Sequence, residues 1–281
     1  MNGILIIDKP KDYTSRDIVN IVSKKFNTNK VGHTGTLDPI ATGVLVICLG
    51  KALKLTELLT STYKEYIATM RLGIETDTLD ITGEILKEKD VPNITKEDII
   101  NKLNNFKGYI KQEVPKYSAV KVNGKKLYEY ARAGIDVELP IREVEIKEIE
   151  LLDFNDNEIT FRCLVSKGTY IRSLIRDIGY SLDNYATMIE LRRIKQGNFS
   201  IEQAYTIDDI DNNNYRLLNP VDVIELPKVI VDDELAFKIR NGQVLDKFYN
   251  EDKVMIIDKD NKLLAIYEQI ENNKVKPYKV F

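Results

Sequence analysis

The chain has 281 residues, 43% of them hydrophobic, which suffices for one large domain with a small appendage around a sizeable core. Forty-one basic against 44 acidic residues leave a net charge of −3, and no apolar run approaches membrane-spanning length; a soluble, globular, cytoplasmic protein is expected, without a membrane span or a cleaved leader. Cys48 and Cys163 stand singly in apolar runs, which argues against a disulfide framework and a zinc knuckle and reads as reduced core cysteines.

In chain order, Ile4 to Ile7 is an apolar run stopped by Asp8-Lys9-Pro10, and Thr14 with Asp17 forms a capping box for a helix with Ile18, Ile21, Val22 and Phe26 inward. A glycine-punctuated loop from Lys30 to Gly43 follows, then Val44 to Leu49 as a fully buried strand and an amphipathic helix with Ala52, Leu55, Leu58 and Leu59 inside. Tyr66 to Leu72 alternates as a strand, Thr95 and Asp98 cap a helix carrying Ile99, Ile100 and Leu103, and Asn123-Gly124 marks a tight turn. Val144 to Phe154 and Ile159 to Ser166 read as a long hairpin around Asn155-Asp156-Asn157, with Ile159, Phe161, Cys163 and Val165 on one face. Ser166-Lys167-Gly168-Thr169 then opens a helix burying Ile171, Leu174, Ile175 and Ile178, closed by Gly179 as a left-handed cap. The polar tract Asp208 to Asn214 and Asn219-Pro220 place a boundary near 225, followed by a helix from Asp233 to Arg240 and two strands around Asp258 to Asn261.

Charge is unevenly spread. Residues 116–142 hold six basic against three acidic side chains and residues 162–195 hold seven against three, whereas between 202 and 234 nine carboxylates face only Arg216 and Lys228. A positive and a negative face on one molecule, or scattered solvated charge, account equally for this pattern.

His33 is the only histidine, so a multi-histidine metal site is impossible, and the nearby carboxylates lack EF-hand spacing. There is no Gly-x-Ser-x-Gly elbow, and the glycine loop lacks the Gly-Lys-Ser/Thr ending of a phosphate loop. What remains is Asp38, restricted by Pro39 to extended geometry between Gly32, Gly35 and Gly43, a carboxylate able to act as nucleophile or base. An isolated Asp-Pro more commonly caps a turn.

The run Gly32-His33-Thr34-Gly35-Thr36-Leu37-Asp38-Pro39 with Ala41-Thr42-Gly43 resembles the catalytic motif of TruB-type tRNA pseudouridine synthases. Further motifs similar to that family follow in order up to about residue 200: Ile7 to Pro10, Lys64-Glu65-Tyr66, Leu72-Gly73 with Thr76-Asp77-Thr78, Asp80 and Gly83, Pro115 to Ala119, Ser166 to Arg172, and Leu191-Arg192-Arg193. The carboxy-terminal segment resembles the family's PUA-like appendage more weakly.

The resemblance implies an α/β fold with a mixed, mainly antiparallel sheet and flanking helices: a catalytic domain over 1–225, an RNA-gripping insertion at about 117–142, and a small β-rich PUA-like domain over 226–281. It implies that uridine 55 in the TΨC loop of tRNA is converted to pseudouridine. Asp38 would start cleavage of the C1′–N1 bond, by attack on the sugar or base or by taking a ribose proton. Arg172 would pair with it, and Tyr66 would stack on the flipped uracil and take part in proton transfer from C5. His33 would refill the base stack, and Tyr170 and Leu191 would line the uracil pocket. Lys9 and Lys54 would meet phosphates or support the site, and Asp80 would contact RNA or orient the loop. No cofactor or metal is implied; the partner is the tRNA T-arm, met by a monomer without a guide RNA, which the short appendage favours. Two rivals are a retaining glycosidase using Asp38 with a second carboxylate such as Asp80 roughly 5 Å away, and a binding-only RNA module or tRNA-folding protein.

Overall fold

Strands Gly3–Lys9 and Thr42–Leu49 carry apolar residues at consecutive positions and pair antiparallel, Gly3 opposite Leu49 through Lys9 opposite Gly43. Consecutive apolar residues are all buried only where both faces of a sheet are covered. Ile4, Ile6, Val44, Val46 and Cys48 face one core; Leu5, Ile7, Leu45, Ile47 and Leu49 face another, packed with Ile18, Val19 and Val22 of the helix Ser15–Lys25.

The structure is a computed structural model that describes residues 2–60 and 63–281. Among the described residues a nine-stranded sheet runs in the order Gly3–Lys9, Thr42–Leu49, Ala186–Gln196, Tyr63–Leu72, Glu158–Ser166, Ile141–Asn155, Gly108–Glu113, with Val31–His33 and Phe199–Ser200 alongside. It is antiparallel except where Arg192 and Arg193 lie parallel to Thr42 and Gly43. There a Cβ on Gly43 would stand 2.2 Å from the Arg193 carbonyl oxygen, at a φ of +100°, so only glycine lets the two strands meet. The fold is the mixed, mainly antiparallel α/β arrangement expected.

Ile159, Phe161, Cys163 and Val165 alternate onto the face covered by Ile171, Leu174, Ile175 and Ile178 of the helix Ile171–Ser181. Both Thr-x-x-Asp capping boxes form, at Thr14 with Asp17 and Thr95 with Asp98. Asn123 and Gly124 make the expected turn, with φ of 51° and 83°.

Three expectations are corrected. Ala52 to Leu59 is not one amphipathic α-helix but a 3-10 helix, Gly50–Leu55, followed by a single α-turn, Thr56–Leu59. Ala52 and Leu55 are three residues apart and stack on one face at three residues per turn. Ser166 to Thr169 do not open the next helix; they form a turn with Gly168 at φ 93°, and the helix begins at Ile171.

Gly179 is not a left-handed cap either. It lies inside the helix, where a Cβ would meet the Ala186 Cβ at 2.6 Å and the Ala186 nitrogen at 2.8 Å, so it is glycine for closeness to the next strand. Gly179→Ala is therefore expected to destabilise by about 1–3 kcal/mol despite alanine's better helix propensity, seen as a lower denaturant midpoint at unchanged slope.

The carboxy-terminal sheet has the order Lys228–Ile230, Lys253–Ile257, Leu263–Ile270, Lys274–Val280, Leu245–Asp246, with the helix Asp233–Arg240 packed on it. Lys274–Val280 is not legible from its sequence because three lysines and Pro277 oppose a strand. It forms because its backbone pairs with Leu263–Ile270, and Pro277 falls at a register shift where a missing N–H is tolerated. Met255 and Ile266 of this sheet share a core with Ile4 and Val44, so the two sheets are joined by packing as well as by chain.

Candidate active site

The segment from Thr34 to Ala41 is irregular backbone held by the side chains of Ser15, Lys9 and Arg193. The Ser15 hydroxyl accepts from the Leu37 N–H at 2.8 Å and donates to the Leu37 carbonyl at 3.1 Å. Lys9 is fully buried, and its Nζ donates to the carbonyls of Pro10 (2.8 Å), Tyr13 (2.7 Å) and Pro39 (3.3 Å). Arg193, also fully buried, donates to the carbonyls of Val44 at 2.7 Å and Gly35 at 3.1 Å. Leu37, Ile40 and Ala41 anchor the loop in the core while Asp38 stays about a third exposed, its side chain at 35%.

Arg172, in the first turn of its helix, meets that carboxylate with both arms of its fork: Nε to Oδ2 at 2.9 Å and Nη2 to Oδ1 at 3.2 Å. Its other donors go to the carbonyls of Thr78 (2.8 Å) and Tyr117 (3.0 Å). With a side chain only 6% exposed, it forms a rigid cationic backing for Asp38. Asp80 lies 3.9 Å from Nη1; its own Oδ1 is occupied by Thr78 and by the Thr82 N–H and hydroxyl. Leu79, between these groups, holds φ 62°, a left-handed conformation that costs a leucine about 1–2 kcal/mol.

A cavity of about 430 Å³ opens beside Asp38, lined by Tyr66, Tyr170, Arg172 and Leu191 and, from another segment, by Tyr117, Ser118 and Tyr128. Asp38, Tyr66, Arg172, Tyr170 and Leu191, each singled out in the sequence, thus converge on one space. Burial pushes the Tyr66 phenol pKa up, and the Arg193 charge and hydrogen bond oppose that rise. The Ser118 and Thr169 hydroxyl oxygens are buried on the cavity wall with no hydrogen-bond partner among the described residues.

Lys9, Lys54, Asp80 and His33 lie elsewhere. Lys9 is fully buried and braces the Pro39 carbonyl; burial lowers its pKa to about 8, against the pull of Asp38. Lys54 donates to the Val280 carbonyl at 2.7 Å, tying the 3-10 helix to the carboxy-terminal strand. Asp80 is buried behind Arg172, away from the cavity, which deprives a glycosidase of its second carboxylate there. His33 sits in the short strand Val31–His33, outside the cavity lining; burial, then Arg193 and Arg16, lower its pKa, leaving a neutral imidazole at neutral pH.

Gln112 had no assigned role, yet its buried amide bonds both the N–H and the carbonyl of Tyr170, at 2.8 and 3.1 Å. An amide at an inward-facing strand position was its only sequence signal. Arg192 bonds Asp8 with two nitrogens, at 2.8 and 3.1 Å, so the Asp8-Lys9-Pro10 and Leu191-Arg192-Arg193 motifs meet in space.

The same architecture occurs in solved multi-component assemblies. One, titled as an H/ACA RNP bound to a substrate RNA containing 2′-deoxyuridine, aligns at a TM-score of 0.73 and 27% identity over 99% of this chain and 84% of that one. A Cbf5-Nop10-Gar1 complex aligns at 0.73 and 28%, with the same coverage. The fold is that of the pseudouridine synthases.

Residues 23–171 match the N-terminal domain of TruB family pseudouridylate synthases, and residues 172–237 match the tRNA pseudouridylate synthase B C-terminal domain. The chain is 42% identical to the tRNA pseudouridine synthase B of Clostridium tetani, across 96% of this chain and 93% of that protein. It is 44% identical to that of Listeria welshimeri, across 100% and 98%. The chain belongs to the TruB family of pseudouridylate synthases.

Proposed function

We propose that this protein isomerises uridine 55 in the TΨC loop of tRNA to pseudouridine, as a monomer in the cytoplasm and without a guide RNA. The observation that carries the reading is the two-armed Arg172–Asp38 pair at the mouth of the cavity that also holds Tyr66. The reaction breaks the C1′–N1 bond and forms a C1′–C5 bond, and the hydrogen on C5 is replaced by one on N1. All atoms stay within the substrate, so neither oxidant nor energy source is required.

In this reading the target base leaves its stack, at a cost of about a few kcal/mol, and enters the cavity against Tyr66, Tyr170 and Leu191. Asp38, held in place by the two arms of Arg172, begins cleavage of the glycosidic bond, and Tyr66 serves the later proton transfer from C5. The neutral His33 ring fills the gap in the stack. The basic stretch from Tyr117 to Arg142 closes over the T-arm, and the carboxy-terminal sheet acts as the PUA-like RNA-binding appendage. Phosphate contacts along this face make binding weaken as salt rises.

The test is incubation of purified protein with an unmodified tRNA transcript, followed by position-resolved detection of pseudouridine. Modification of the T-loop uridine by the protein alone is expected. A transcript left unmodified would overturn the reading, and release of free uracil would point to glycosidase chemistry.

A further inference from the structure

Lys64 stands two residues before Tyr66 on the strand Tyr63–Leu72, so the two side chains leave the same face of the sheet, on the order of 7 Å apart along the strand. Its half-buried side chain lines the Asp38 cavity together with Gly168 and Thr169. Nζ lies 3.3 Å from where a Cβ on Gly35 would stand, and it makes no hydrogen bond or ion pair among the described residues.

The charges that act on it most strongly are positive. Arg193, from the neighbouring strand, is fully buried and donates to the carbonyls of Val44, Thr36 and Gly35, with no carboxylate partner among the described residues. Lys167, exposed in the turn after the strand Glu158–Ser166, adds a further positive charge that acts on Lys64. Asp38, the carboxylate on the same cavity wall, is engaged by Arg172. Burial first, then Arg193 and Lys167, press the Lys64 ammonium down to about 8, the state of a cation short of an anion. The Thr169 hydroxyl lies buried and unpartnered on this wall, and the space where a Cβ on Gly168 would stand is open.

We propose that Lys64 and the Thr169 hydroxyl, backed by Lys167, form a subsite inside the cavity for a backbone phosphodiester flanking the flipped nucleotide. The inference rests on the RNA-uridine reading above. A uracil base offers neutral polar edges, whereas a cation lining the cavity beside further positive charge calls for a full negative charge, and a lysine is a compact point charge suited to phosphate. Tyr66 holds the base, and Lys64 lies farther along the strand, toward the sugar-phosphate side. The subsite would thus clamp the nucleotide at both ends once it is out of the stack.

The test compares wild type, Lys64→Gln and Lys64→Arg, with the exposed Lys96→Gln as a control for net charge, in binding and turnover of a T-arm RNA across a salt series. Lys64→Gln is expected to raise Kd about tenfold at low salt and to flatten the slope of log Kd against log salt by about 0.7, one single-strand phosphate contact. Lys64→Arg is expected to restore most of both. RNAs with one neutral methylphosphonate linkage, placed on either side of the target uridine, supply the pairing. At one of the two positions the linkage should weaken wild type about tenfold and Lys64→Gln not at all, as a shared contact requires. The same penalty in both proteins, or a loss of turnover in Lys64→Gln with Kd and salt slope unchanged, would overturn the proposal. If Lys64→Gln fails to fold, wild type must still lose affinity for one of the two modified RNAs, or the proposal falls. Wild type that binds RNA but forms no pseudouridine would instead sink the functional reading, which this binding measurement does not touch.

Discussion

Asp38→Asn is expected to lower pseudouridine formation at the target uridine by about 10⁴-fold or more while melting close to wild type. The amide keeps the size and planarity of the carboxylate but can neither attack as an anion nor take a proton, and all three routes open to Asp38 need one of these. The fold should tolerate the change because the side chain is 35% exposed and Arg172 retains the carbonyls of Thr78 and Tyr117 with Asp80 nearby. Single-turnover incubation with excess enzyme, read by position-resolved detection, measures the loss. Retention of more than a tenth of the wild-type rate would remove Asp38 from the chemistry.

Arg172→Met is expected to fail twice, in stability and in rate. The guanidinium joins the glycine loop through Asp38, the turn ahead of Asp80 through Thr78, and the segment at Tyr117 through its carbonyl, from a side chain only 6% exposed. Removing a buried partner leaves carboxylates and carbonyls without their donor, at a cost of about 3–5 kcal/mol, or roughly 6–20 °C in melting temperature for a chain of this size. Turnover should fall by at least about 100-fold beyond any loss of folded protein, because Asp38 loses both its counter-ion and its orientation. Arg172→Lys keeps the charge but cannot span both Asp38 oxygens and two carbonyls, so it should recover stability more than rate. Calorimetry alongside single-turnover rates checks both; wild-type melting in Arg172→Met would show that the three segments are held by something else.

Local rules carried far where the signal was local. The capping boxes at Thr14 and Thr95 need only residues three apart, and both form. The alternation of Ile159, Phe161, Cys163 and Val165 and the unbroken apolar run from Val44 to Leu49 report one covered face and two covered faces, as found. Gly179 shows where local rules stop. Near a helix end glycine ordinarily reads as a left-handed cap, but here the cause is Ala186, on the next strand. Lys274–Val280 is a strand only because Leu263–Ile270 lies beside it.

The sequence by itself determined the candidate carboxylate, the motifs that mark the family, and the absence of a second histidine to share the chemistry. Only the tertiary structure decided what each charged side chain faces. Lys9 and Lys64 are both lysines in family-like motifs, yet one is sealed under Pro39 with three carbonyls and the other lines the cavity with no partner among the described residues. Arg172 reaches Asp38 across 134 residues of chain. A contact of that kind is set by strand order and by the direction in which each Cβ leaves the backbone, and neither is written in the residues that make it.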